Sequence, residues 1–156
     1  MKWVYDTGGR EKYYKALNVG DCVVRAIAIA NQMDYKETYN LVKKYNGGET
    51  PRNGVYKIVY GRLLRDLGWK YISCCEDEHD EVFLRIGQLP EQGVIICRLA
   101  RHAVTIIDGV IHDTYNSYGD GNRRVYGYWE KTNVDNDQYD RISVETKICD
   151  MKSAKR

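Results

Sequence analysis

Three side chains in this sequence could together move a proton and attack a carbonyl: Cys22, His102 and Asp113. Cys22 stands in the stretch GDCVVRAIAIA (20–30), behind Asp21 and ahead of a largely apolar run that holds one arginine. Its thiol has four readings: a small core residue, a metal ligand, half of a disulfide, or a nucleophile. Cysteines occur at 22, 74, 75, 97 and 149. That count is odd, and adjacent Cys74–Cys75 suit no ordinary disulfide. The start MKWVYDTGGREKYYK has no apolar leader run, so reduced thiols in a cytoplasmic setting are expected. No CxxC, CxxH or HxxxH spacing occurs, so a zinc site would need ligands gathered singly. The core residue and the nucleophile are the readings left to weigh.

Position separates them. Residues 22–33 are expected to be helical: Asp21 suits the N-cap, Ala26, Ala28 and Ala30 favour helix, and Ile27 and Ile29 add bulk. Apolar residues on nearly every side predict a buried helix. A thiol in its first turn meets unpaired backbone N–H groups and the positive end of the helix dipole, and both favour thiolate. Two more helices are expected. One covers 35–45, with Tyr35, Tyr39, Leu41, Val42 and Tyr45 inward. The other covers 54–67, with Val55, Ile58, Val59, Leu63, Leu64 and Leu67 inward and Gly68 as its stop. Residues 1–19 read as a polar, aromatic surface segment ending in a loop.

From residue 69 the pattern turns to strands. WKYISC alternates, an acidic loop EDEHDE follows, and VIICRL (94–99) is a short apolar run. HAVTII-DG-VIHDTY is a hairpin, because Asp-Gly between β-rich arms favours a type I′ turn. VYGYWEK and RISVETKI read as two further strands, and SYGDGNRR as an exposed loop. Helices followed by a mostly antiparallel sheet make an α+β fold.

The hairpin then chooses among the histidines and aspartates. With Asp108-Gly109 as the turn, Ile107 faces Val110, Ile106 faces Ile111, Val104 faces Asp113 and His102 faces Tyr115. His102, Val104, Ile111 and Asp113 therefore share a face. His102 and Asp113 are diagonal neighbours, about 7–8 Å apart at the backbone and within side-chain reach. His112 falls on the opposite face, and Asp108 is at the turn tip. A one-residue slip would reverse each assignment. A thiolate, an imidazole and a carboxylate that orients it form a nucleophile–base–orienter set, and the N–H groups ahead of the helix would face a developing oxyanion.

This arrangement resembles the papain-like cysteine peptidases. They place a cysteine at the N-terminus of a buried helix, a histidine at the start of a later antiparallel strand, and an Asn or Asp on the neighbouring strand. GDCVVRAIA resembles the cysteine motif of the bacteriocin-processing (C39-like) peptidases and, more loosely, of the ovarian-tumour deubiquitinases. RHAVTIIDGVIHDTYN resembles the C39-like order of His, two strands and Asp. Both are similar to motifs of bacteriophage-encoded proteins, which implies a bacterial host cytoplasm. The resemblance covers roughly 30 of the 156 residues. It implies Cys22 as nucleophile, His102 as general base and acid, and Asp113 as orienting group, with no cofactor. In one respect the chain departs from the pattern. Those enzymes usually carry a Gln six residues before the cysteine as an oxyanion donor, and here that position is Ala16. Asn18 is a candidate amide donor in its place, as are backbone N–H groups alone.

The plainer readings stand beside these. A cysteine ahead of an apolar helix is ordinarily core, a strand histidine is ordinarily structural, and an aspartate near a strand end is ordinarily a turn residue. Order and shared geometry set these three apart. Cys97, with apolar neighbours, reads as core. Cys74 and Cys75 read as structural or partly exposed, and His79 as a loop residue. Trp129 is a candidate shield for the His–Asp pair.

The composition narrows the rest. Apolar residues are 43% and charged residues 29% of the chain, which is globular usage. The length suits one domain over 1–150 with a frayed tail at 151–156. A net charge of +2 does not call for nucleic acid. Fourteen tyrosines against one phenylalanine suggest wet contact faces. The expectation is a papain-like thiol hydrolase acting on a peptide or isopeptide bond in a protein or peptide substrate. Its rivals are a non-catalytic scaffold that binds or inhibits a protein and an acyl transferase using the same three residues. No membrane partner is expected.

Overall fold

The computed structural model describes residues 1–16, 19–74 and 83–131. The sequence-level expectations for Asn18, Cys75, the EDEHDE segment with His79, the strand RISVETKI, Cys149 and the 151–156 tail lie outside these residues. Helix α1 is Cys22–Asn31, α2 is Tyr35–Tyr45 and α3 is Lys57–Asp66. The strands are β1 (Lys2–Tyr5), β2 (Trp69–Ser73), β3 (Val94–Leu99), β4 (His102–Ile107), β5 (Val110–Asp113) and β6 (Gly127–Lys131). These strands form one sheet in the order β1-β5-β4-β3-β6-β2. The pairings of β2 to β6 are antiparallel, so the α+β reading with a mostly antiparallel sheet holds.

Strand β1 is a correction. Residues 1–19 were expected to be a surface segment ending in a loop with no strand assigned; they do lie on the surface here, but Lys2–Tyr5 adds a strand to the sheet edge parallel to β5. Its four residues are all exposed, so burial alternation could not mark it in the sequence. The edge position instead supplies its hydrogen bonds.

Alternation along β3 explains why VIICRL is nearly all apolar. Ile96 packs with Ala103 and Trp129 against α1, α2 and α3. Ile95, Cys97 and Leu99 pack on the other face with Val104, Ile106 and Ile111, under Ile86, Leu89 and Val125 from the connecting segments. A strand buried on both faces has no polar side to show. Cys97 is a core thiol, fully buried.

The helices follow their patterns with two adjustments. Asp34 caps α2 by accepting from the Lys36 and Glu37 N–H groups. In α3 the inward side is Tyr60, Leu63 and Leu64, while Ile58, expected inward, is 72% exposed. The helix starts at Lys57 and not 54, and that later start goes with a different buried face. Gly68, at φ 88°, ends the segment in the left-handed region where glycine carries no Cβ penalty. Among the described residues, no helix is long and apolar enough to cross a membrane.

Trp129 does not shield the His–Asp pair. It is buried in the core, 5.2 Å from the Tyr60 ring centre and 4.6 Å from that of Tyr71. Gly127, beside it on β6, lies under the Tyr71 ring. A Cβ there would fall on the Tyr71 hydroxyl end and 2.7 Å from the Ile72 carbonyl oxygen. Gly127→Ala should therefore destabilise the chain by about 1–3 kcal/mol through overpacking. Urea unfolding should show a lower midpoint at unchanged slope.

Candidate active site

The sheet end where β4 begins and β5 stops gathers the expected groups. The hairpin register is Thr105 to His112, Ile106 to Ile111 and Ile107 to Val110, as the Asp-Gly turn requires. Asp108 and Gly109 both adopt positive φ, 46° and 74°, the geometry of a type I′ turn. The ladder stops at the Thr105–His112 pair; past its end Asp113 turns to Arg25 of α1 and does not stay with Ile111 on the far face, and His102 Nε2 lies 2.5 Å from Asp113 Oδ2. His112 meets Asp6 instead, Nδ1 to Oδ2 at 2.9 Å.

Cys22 is the first residue of α1, half-buried. Its thiol lies beside the His102 ring and the Ala103 N–H, near enough for both to favour thiolate. With Nε2 on Asp113, Nδ1 is the ring nitrogen left for the sulfur. Burial pushes the Cys22 thiol up. The His102 hydrogen bond and charge, the Ala103 N–H and the Arg25 charge together outweigh burial and leave it below its ordinary value. Burial favours neutral His102, but Asp113 and Cys22 overcome that and raise it to about 9. Burial likewise raises Asp113, and hydrogen bonds from His102 and Arg25 hold it below the usual carboxylate range. All three shifts favour thiolate, imidazolium and carboxylate together near neutral pH. Two groups this strongly coupled titrate as a pair.

Asp21 is a correction. It occupies the N-cap position, but its side chain makes no cap hydrogen bond. Fully buried, it accepts instead from Arg10 Nη1 at 3.1 and 3.2 Å, Arg25 Nε at 3.0 Å and the Tyr35 hydroxyl at 2.8 Å. The first-turn N–H groups of α1 are thereby not taken by a cap.

Arg25 is the residue that sequence reasoning missed. Its Nη1 reaches Asp113 Oδ1 at 2.7 Å while its Nε holds Asp21. Asp113 Oδ1 also accepts from the Thr114 N–H at 2.8 Å, so both carboxylate oxygens are engaged. A continuous chain of contacts runs Arg10, Asp21, Arg25, Asp113, His102 and ends beside Cys22. The available signal was a lone arginine inside an otherwise apolar buried helix, since a buried charge needs a partner.

Cys22 and His102 open on a cleft of about 1120 Å³ between the start of α3 and the β3–β4 turn, lined also by Gly20, Val23, Tyr60 and Arg98, with Asp113 buried behind His102. Tyr115, 45% exposed, lies over the imidazole at 5.1 Å between ring centres and covers it in the role that Trp129 was offered for. Asn18, the amide candidate, lies outside the described residues. No protein-family model, curated protein or solved structure matches the chain.

Proposed function

We propose that the chain is a papain-like thiol hydrolase that cleaves a peptide or isopeptide bond through Cys22, His102 and Asp113. One observation carries this reading: at one cleft, an imidazole held by a buried carboxylate stands beside a thiol at a helix N-terminus. A buried structural cysteine would need neither partner.

The chemistry follows from the geometry. Asp113 holds the ring orientation and stabilises imidazolium. The Cys22 thiolate attacks the carbonyl carbon, and the carbonyl electron pair moves onto oxygen. The uncapped first-turn N–H groups of α1 receive that oxyanion, which offsets the lack of an amide at Ala16. Collapse expels the amine as His102 gives it a proton, leaving a thioester on Cys22. Water, deprotonated by His102, then attacks the thioester and releases the acid and the thiol.

A peptidyl acyloxymethyl ketone tests this directly. It should alkylate Cys22 in preference to Cys74 and Cys97, as read by peptide mass mapping, and a fluorogenic peptide library should yield hydrolysis that Cys22→Ala abolishes. Transfer of the acyl group to an added amine in place of water would make the chain an acyl transferase. Labelling of Cys22 no faster than of Cys74 would leave the non-catalytic scaffold.

A further inference from the structure

The walls of the cleft say more than its reacting groups do. Three cations line it, Lys57, Arg98 and Arg101, against one carboxylate, Glu49. Among the described residues none of the three cations is in an ion pair. This departs from the rest of the site, where the buried arginines Arg10 and Arg25 both hold aspartates.

Arg98 is built into its place. It follows Ile96 on the helix-covered face of β3, at the point where the cover of α3 gives way to the cleft. Its guanidinium lies 5.2 Å from the Tyr126 ring centre, and the Tyr60 side chain lines the same cleft beside it. Arg124 lies against the same Tyr126 ring at 5.2 Å. Arg98, Tyr60 and Cys22 all line this one cleft. Lys57, the first residue of α3, lies 4.2 Å from the Tyr71 ring centre, and the Tyr71 hydroxyl donates to the Tyr126 carbonyl at 3.2 Å. Arg98 on Tyr126 and Lys57 on Tyr71 are thus each backed by a tyrosine ring where the cleft wall carries them. That wall holds the two side chains against aromatic faces and lowers the entropy cost of binding an anion.

We propose, resting on the thiol-hydrolase reading, that this wall is a specificity subsite for an acidic residue of the substrate, next to the bond that Cys22 attacks. Arg98 takes the carboxylate through its planar fork, and Lys57 adds a point charge. Arg101, exposed on the β3–β4 turn, adds long-range attraction. A phosphodiester would meet the same cations but would offer the thiol no carbonyl, so an acidic polypeptide is the occupant the site favours.

The test uses three acyloxymethyl ketone peptides that differ only in carrying Glu, Gln or Lys beside the electrophile. Each alkylates Cys22 and expels a carboxylate. The Glu probe should label roughly tenfold faster than the Gln probe, with Lys slowest, and added salt should narrow the gap. In Arg98→Gln the Glu-to-Gln ratio should fall to within about twofold, in Lys57→Gln it should fall partway, and Arg98→Lys should restore part of it. The ratio is taken within one variant, so a loss of folded protein cancels. Equal rates for Glu and Gln in the wild type overturn the subsite. If iodoacetamide alkylation of Cys22 still depends on His102 in that case, the hydrolase reading stands, and if it does not, that reading has failed as well. A single-stranded oligonucleotide that protects Cys22 from the probes better than an acidic peptide does would also overturn the subsite, in favour of nucleic acid.

Discussion

Replacing His102 by alanine should slow iodoacetamide alkylation of Cys22 at pH 7 by about 10- to 100-fold. In the wild type, burial works against the thiolate, and the His102 hydrogen bond and charge are what overcome it. Without the imidazole, burial dominates and the sulfur is a thiol at neutral pH. The loss is smaller than the change in thiolate fraction, because a more basic thiolate is also more nucleophilic. The pH profile carries the stronger prediction. Wild-type alkylation should reach its plateau below the ordinary thiol range, whereas in His102→Ala it should climb in a single step above the ordinary 9.0. Peptide hydrolysis needs the imidazolium too, so its alkaline limb should lie near 9. Asp113→Asn removes the largest contribution holding His102 up and should move that limb toward 6.5. A His102→Ala profile that overlays the wild type would sink the ion pair and the mechanism with it.

Arg25→Met should be the most destabilising single substitution at the site, by about 3–5 kcal/mol, because it leaves two buried carboxylates short of a cation. Thermal unfolding of a chain this size should drop by roughly 10–15 °C. The pH dependence identifies the cause. Asp113 is depressed in the folded chain, so its contribution is present above the ordinary carboxylate range and is lost as pH falls through the folded value. His102 is raised, so its contribution is complete below about 6.5 and is lost as pH rises through about 9. Wild-type stability should therefore form a plateau between these limits. Arg25→Met should flatten the acid side, where Asp113 loses a partner, and keep the alkaline fall. Arg25→Lys keeps the charge but cannot span Asp21 and Asp113 with a rigid fork, and should fall between the two. A variant as stable as wild type at pH 7 would mean that solvent reaches these carboxylates, against the burial of both.

Much of the site was legible because its rules are local. The Asp108-Gly109 turn brings the start of β4 and the end of β5 together, so His102 and Asp113 meet across only 11 residues of chain. The contact of His112 with Asp6 spans 106 residues and needed the docking of β1. The start of α1 at Cys22 is equally local: a change from loop residues to helix formers behind Asp21. The use of Asp21 was not legible. Its position predicts a cap for any aspartate, and only the approach of Arg10, Arg25 and Tyr35 turns the carboxylate inward and leaves the helix N–H groups open.

By itself, then, the sequence determined the three helices, strands β2 to β6 and the hairpin that brings one His to one Asp. The tertiary structure alone decided that Arg25 would bind Asp113 across 88 residues, that β1 would line the edge of β5, that Tyr115 would cover His102 while Trp129 went to the core, and that the cleft would be cationic. The physical reason is range. Helical and strand periodicity act over a few residues through backbone geometry, whereas an ion pair or a cleft wall depends on where the ends of separate elements come to rest. That placement is set by packing both faces of one sheet, a property of the whole chain that no segment carries alone.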